Sequence, residues 1–256
     1  MKNLFSVAGK NALVTGGSRG IGLMIAEGYV RNGVKTYISS RKAQVCDDVA
    51  ARLSKIGTCI SLPFDLGTME GIAGLAAALK EREERLDILV NNAGATWGAP
   101  IDEFPEDGWD KVMDLNVKSI FFLTKELLPL LRKSGSAEDP ARVINIGSID
   151  GLHLNPLEHY PYSAAKAGVH HLTRALAGRL ARENITVNAI APGPFESKMM
   201  AETLRNFGDR IVESNPRGRI GTPEDVAGTA IYLASRAGAY TNGVILPVDG
   251  GIVGCS

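Results

Sequence analysis

Residues 11–22 read NALVTGGSRGIG, an apolar, partly β-branched run that passes through a threonine into a glycine-rich turn. The first five residues suit a strand buried on both faces, and the helical period that begins at Gly20 continues to Asn32. Gly16, Gly20 and Gly22 are spaced GxxxGxG rather than GxGxxG. Glycines at such a turn let the backbone bend sharply. They also let a pyrophosphate approach the N–H groups of a helix N-terminus, where the peptide dipoles favour negative charge. A glycine cluster alone equally marks an ordinary strand-to-helix turn; the strand before it and the helix after it favour a dinucleotide.

The strand-and-helix unit recurs along the chain. Further strand-like runs are KTYIS (35–39), CISLPF (59–64), DILVNN (87–92), RVINIG (142–147), ITVNAIA (185–191) and GVILPV (243–248). Helical patterns lie between them, at Trp109 to Leu131, Tyr162 to Arg182 and Pro223 to Ser235, the last with Thr222 placed as N-cap and Pro223 at the first helical position. Alternation of this kind predicts an α/β fold: one doubly wound Rossmann domain over 1–256, with a seven-stranded parallel sheet flanked by helices on both faces. There is no internal repeat, no low-complexity tract and no linker. The polar break SGSAEDP (134–140) reads as a surface loop.

Composition narrows the function classes. Twenty-eight basic residues balance twenty-eight acidic ones, so no net field gathers nucleic acid. The longest uncharged run, Ile88 to Ile101, spans fourteen residues and contains Asn91 and Asn92, which is too short and too polar to cross a membrane. The opening MKNLFSVAGK runs straight into a strand and leaves no room for an apolar signal core. Cys46, Cys59 and Cys255 are odd in number and scattered, without metal-ligand spacing. The expectation is a cytoplasmic protein without a metal.

The choice of dinucleotide turns on the end of the second strand. A carboxylate there would hold the ribose 2′-OH of NAD, but the chain reads ISSRK, with Ser40 and Arg41 and no acid before Asp47. Arg41 and Arg19 are placed to make charge-assisted contacts with a 2′-phosphate, which predicts NADP(H). The same two arginines are also compatible with a solvated loop charge and a turn cap.

Residues 159–166, HYPYSAAK, contain two tyrosines. On a helix, residues four apart share a face, so Tyr162 meets Lys166 while Tyr160 meets Ala164. No other tyrosine has a lysine four residues on, although the pair taken alone is no more than a surface contact.

Taken in order along the chain, these motifs resemble the short-chain dehydrogenase/reductase family over nearly the whole length. TGGSRGIG matches its TGxxxGxG loop, NNAG (91–94) its central-strand motif and Tyr162 with Lys166 its YxxxK. Asn116 in LNV and Ser148 in NIGS match its remaining catalytic positions, and PGPFES (192–197) resembles PGxxxT. The resemblance implies a catalytic set of Asn116, Ser148, Tyr162 and Lys166. It also implies cofactor contacts from Gly16, Ser18, Arg19, Gly20, Ile21, Gly22, Ser40 and Arg41, and from Asp65, Leu66, Asn92, Ala93 and Gly94. Tyr162, Lys166, Pro192, Gly193, Phe195 and Ser197 complete that cofactor set. A phenol with a pKa of about 10 donates readily but is a poor base, and the family assigns the nearby lysine to lowering it. Asn116 is implied to position a water linking the lysine to solvent.

Within the family the chain is similar to NADPH-dependent β-ketoacyl reductases, including the type linked with rhamnolipid biosynthesis. The substrate implied is a 3-oxoacyl thioester of acyl carrier protein or coenzyme A. Another ketone, a steroid or a polyol stays open, as does a non-catalytic NADP-binding regulator. Met200, Leu204, Phe207 and Ile211 form a helical stripe in a lid near 194–216, which either covers an acyl chain or packs on the core. Leu152, Leu154, Leu157 and Trp97 are candidates for the opposite wall. Arg132, Lys133, Arg179 and Arg182 are candidates for meeting an acidic carrier protein. The family also implies a homotetramer or homodimer. Ser148 does not belong to a hydrolase elbow, because Ile146 and Asp150 occupy its two glycine positions. His153, His159, His170 and His171 lack regular ligand spacing and read as loop and helix-surface histidines.

Overall fold

A computed structural model describes residues 2–154, 157–198 and 200–255. Seven strands pair in parallel in the order β3-β2-β1-β4-β5-β6-β7. They are β1 (Asn11–Thr15), β2 (Lys35–Ser39), β3 (Cys59–Ser61), β4 (Ile88–Asn91), β5 (Ala141–Ile146), β6 (Ile185–Pro192) and β7 (Ile245–Val248). The order in which strands are added reverses between β1 and β4, so a crevice opens above their C-terminal ends.

Alternate side chains of each strand feed opposite cores. On β1, Ala12 and Val14 enter one cluster, with Ile25 and Tyr29 of α1 (Gly20–Arg31), Cys46 and Leu53 of α2 (Ala43–Leu53), and Val226 and Leu233 of α8 (Pro223–Ala234). Leu13 enters the other, with Leu75 of α3 (Met69–Lys80), Leu123 and Leu127 of α5 (Ser119–Ser134), and Leu180 of α6 (Tyr160–Leu180). Three helices thus cover each face, as the alternation predicts.

The differences from the expected elements have local causes. β3 stops at Ser61; Leu62 N still donates to Ile38 O at 2.8 Å, but Pro63 has no N–H to continue the ladder. The expected helix from Trp109 to Leu131 is two helices, α4 (Glu106–Met113) and α5, joined by a π-helical turn over Asp114–Lys118. That turn carries Asn116, whose side chain leaves the helix to bond the Ala95 backbone. The last helix starts as expected: Thr222 N donates to Asp225 Oδ2 at 2.7 Å, and Arg219 grips the same carboxylate through two nitrogens at 2.6 and 3.0 Å. Among the described residues no helix is long and apolar enough to cross a membrane.

Candidate active site

The first residue to organise the crevice is Thr15, at the end of β1. Its buried hydroxyl accepts from Asn92 N at 2.9 Å and from Ala93 N at 3.0 Å, and its carbonyl accepts from Asn92 Nδ2 at 2.8 Å. The glycine turn is thereby joined to the Asn92–Gly94 stretch. Glycine is required here: Gly16 and Gly20 have φ of +66° and +54°, and a Cβ on Gly22 would lie 2.3 Å from Asn92 Nδ2. Ser18 is buried under the turn, Ile21 packs on the core, and Arg19 is exposed at the N-terminus of α1.

Beyond β2, Arg41 and Asp65 line a hollow of about 270 Å³ together with Gly67, Thr68, Lys111, Asp114 and Leu115. Just before Arg41 in the chain, the hydroxyls of Ser39 and Ser40 are buried without a hydrogen-bond partner. Two orphaned donors next to a free guanidinium form a cradle that fits a phosphorylated ribose. Two of the expected contacts fall on residues with buried side chains. Leu66 and Phe195 have their side chains in the two hydrophobic cores, so only their backbones are available to a ligand. Phe195 lies against Gly221, whose N donates to Pro194 O at 2.9 Å. Gly193 N donates to Val248 O at 3.0 Å, fixing the turn after Pro192, and Ser197 lies close to Gly20 across the crevice.

The four catalytic candidates come from four elements. Asn116 is fully buried in the π-helical turn; its Nδ2 donates to Ala95 O at 2.7 Å and its Oδ1 accepts from Ala95 N at 3.2 Å. Ser148, just after β5, accepts from Asp150 N at 3.2 Å, and its hydroxyl faces the Tyr162 phenol. Tyr162 lies in the first turn of α6, with Lys166 one turn on. The Lys166 Nζ stands 5.4 Å from the centre of the Tyr162 ring and donates to Ile146 O at 2.7 Å. Tyr160 points elsewhere, packing edge-on against Phe104. The i, i+4 argument therefore picks out the tyrosine that lies beside Lys166.

The expected electrostatics are reversed. Burial pushes the Tyr162 phenol up to about 12, with the Asp150 carboxylate adding to the rise and the Ser148 hydroxyl opposing it. Burial likewise lowers Lys166 to about 8, against the pull of Asp150. The ammonium lies over the ring face and is bonded to a backbone carbonyl, and desolvation outweighs its effect on the phenol.

Sequence reasoning missed several residues of the site. Asn91 Nδ2 donates to Asn145 Oδ1 at 2.9 Å and Asn145 Nδ2 to Thr173 Oγ1 at 2.9 Å, a buried polar ladder that ties β4 and β5 to α6. His170, read as a helix-surface residue, is buried beneath Ser148. The signal for it was available, since it follows Lys166 by four residues.

Helix α7 (Ala201–Ser214), within the segment expected to form a lid, has no buried residue, so its stripe of Leu204, Phe207 and Ile211 does not enter the core. Met199, within the expected lid, lies outside the described residues. The lid is fixed at both ends, by the Phe195–Gly221 bridge and by the buried Asn215, whose Nδ2 donates to Asp249 O at 3.0 Å. Of the proposed basic patch, Arg132 and Arg179 both pair with Glu183, each at 2.7 Å.

Comparison with known proteins agrees with this architecture. The family profile described as Enoyl-(Acyl carrier protein) reductase matches residues 16–253. The chain belongs to the short-chain dehydrogenase/reductase family. It is 50% identical to the rhamnolipids biosynthesis 3-oxoacyl-[acyl-carrier-protein] reductase of Pseudomonas aeruginosa, over 98% of this chain and 99% of that one. It is 34% identical to the gluconate 5-dehydrogenase of Gluconobacter oxydans, over 98% and 97%. Among solved structures, the Pseudomonas aeruginosa RhlG/NADP active-site complex superposes with a TM-score of 0.94 at 50% identity, covering 99% of this chain and 100% of that one.

Proposed function

We propose that this protein is an NADPH-dependent carbonyl reductase that converts a 3-oxoacyl thioester to the 3-hydroxyacyl thioester. The observation that carries the reading is the convergence of Ser148, Tyr162 and Lys166 on one point above the C-terminal end of β5. NADPH, when bound, supplies the hydride that the carbonyl carbon accepts. Arg41, Ser40 and Arg19 would hold its 2′-phosphate, and the Gly16–Gly22 turn its pyrophosphate.

The remaining chemistry belongs to the chain. Ser148 donates to the carbonyl oxygen as negative charge develops there, and Tyr162 supplies the proton that completes the alcohol. A phenol raised to about 12 keeps its proton throughout the neutral range, so the donor form is the one present. Lys166 provides the buried positive charge and would hold the nicotinamide ribose, while Asn116 would support a water between that lysine and solvent.

An apolar acyl substrate is supported by exposed leucines near the site and by the unburied α7 stripe; Leu154 is 94% exposed and Phe207 46%. These features favour an acyl chain over the polyols suggested by the gluconate dehydrogenase relative. The Arg132–Glu183–Arg179 pairing neutralises part of the patch that would greet an acidic carrier protein, so coenzyme A and carrier-protein esters are both retained as thioester forms. A single domain acting in the cytoplasm as a homotetramer or homodimer completes the proposal, supported by the half-exposed apolar residues Ile245, Leu246 and Val248 on the edge strand β7. A non-catalytic NADP-binding regulator has no need of the assembled set.

The test is NADPH oxidation followed by absorbance with acetoacetyl and longer 3-oxoacyl thioesters. Tyr162→Phe is expected to keep NADPH binding and lose most of the turnover, about 10²- to 10⁴-fold. Near-normal turnover in that variant would overturn the assignment.

A further inference from the structure

His170 is 3% exposed, and neither ring nitrogen has a formed hydrogen bond. A buried imidazole with no more than a weak backbone contact to Gly151 is unusual enough to need a reason. Its surroundings supply one. Gly147 and Gly151 bracket the segment that carries Ser148 and Asp150, and both glycines lie against this ring. A Cβ on Gly147 would be 2.2 Å from His170 Nε2 and 2.7 Å from Cδ2, and a Cβ on Gly151 would be 2.8 Å from Cε1. The two glycines thus leave a hollow, and the imidazole fills it.

The segment is also held by its own hydrogen bonds, among them Asp150 N to Ser148 Oγ at 3.2 Å and His153 N to Ile149 O at 3.0 Å. Gly147 N donates to Ile190 O at 2.7 Å and Gly151 N to Ser148 O at 3.1 Å, closing a single 3-10 turn over Ile149–Gly151. Those two bonds do not reach α6, whereas the Asp150 carboxylate of the same turn acts on both Tyr162 and Lys166. The stop is steric: Gly151 rests on the Lys166–Ala167 backbone and on the His170 ring. His170 lies one helical turn beyond Lys166 on the same face, as Lys166 lies one turn beyond Tyr162. Three successive turns of α6 thereby present the proton donor, the buried cation and the support for the serine. The ring stays neutral, since burial together with Lys166 and Arg174 lowers it to about 4 while the Gly151 backbone pulls the other way. A neutral ring adds no second charge beside the ammonium.

We propose that His170 is a positioning residue, the platform on which the Gly147–Gly151 turn rests, and that it sets the distance between the Ser148 hydroxyl and the Tyr162 phenol. The inference rests on the carbonyl-reductase reading of Ser148 and Tyr162. It predicts that removing the ring impairs catalysis through Ser148 and through nothing else, because His170 itself touches neither crevice nor cofactor cradle.

The experiment is a double-mutant cycle in single-turnover NADPH oxidation with acetoacetyl-coenzyme A, a regime that follows slow variants. His170→Ala is expected to slow turnover by about 10- to 100-fold, the scale of a displacement of roughly 1 Å, with NADPH affinity by fluorescence unchanged. In a Ser148→Ala background the same substitution should cost less than about twofold, because its route is already gone. His170→Gln, which refills the hollow without a titratable ring, should recover most of the rate. If the alanine variant fails to fold, His170→Ser, which leaves the hollow equally open, takes its place in the cycle, and a rate equal to wild type in the variant that empties the hollow would refute the proposal. Equal losses in the two backgrounds would likewise refute it, by showing a general structural effect. If instead Ser148→Ala itself turns over normally, the reading of the site fails, and the platform role fails with it.

Discussion

Replacing Lys166 with methionine should make the folded chain more stable while destroying its activity. Lys166 is 4% exposed and is lowered to about 8 from an ordinary value of 10.5. A lysine with a folded-state pKa below its unfolded value is destabilising wherever both states are charged. That cost is lost as pH rises from the folded toward the unfolded value, because above it the folded protein carries a neutral amine. The difference of about 2.5 units corresponds to about 3 kcal/mol of charge-burial cost at pH 7, falling to about 1 kcal/mol near pH 10. Methionine avoids this cost but forfeits the bond to Ile146 O, worth about 1 kcal/mol. The expected net gain is therefore about 2 kcal/mol at pH 7, vanishing by about pH 10. Urea unfolding of both proteins at pH 7, 8.5 and 10, without cofactor, measures the gap directly, and groups common to both chains cancel. A gap that is constant with pH, or that widens toward pH 10, would refute the argument that desolvation governs this lysine.

Arg41→Ala removes one charged partner of a 2′-phosphate, a loss of about 1.5–3 kcal/mol, so the Kd for NADPH should rise by roughly 10- to 150-fold while that for NADH barely changes; fluorescence titration with both distinguishes the two. Thr15→Val keeps the shape of the side chain but strips two buried N–H groups of their acceptor. It should lower stability by about 2–3 kcal/mol and weaken NADPH binding, measured by urea unfolding and the same titration.

The parts of the fold readable from sequence were those set by period and by glycine. The strands β1 and β2 and the turn at Gly16–Gly22 follow from apolar runs and from backbone conformations that other residues cannot adopt. Lys166 and Tyr162 were readable because α-helical spacing leaves no choice of neighbour. The π-helical turn at Asn116 was not, since its residues have ordinary helical preferences and the cause is a tertiary bond to Ala95. The direction of the Tyr162 pKa was misjudged for a related reason. Adjacency can be counted along a chain, but the solvent lost on folding depends on segments far away. His170 and the Asn145–Thr173 bond share that origin, each being explained only by a neighbour from another element.

The lid is moored at Phe195 and Asn215 and sends no side chain of α7 into the core between them. Substitutions along Leu204, Phe207 and Ile211 thus carry almost no folding penalty, and this stretch is free to drift in sequence while the barrel of motifs beneath it stays fixed. It is an exchangeable cassette: grafting the corresponding segment from a relative should transplant substrate preference and leave the melting temperature where it was.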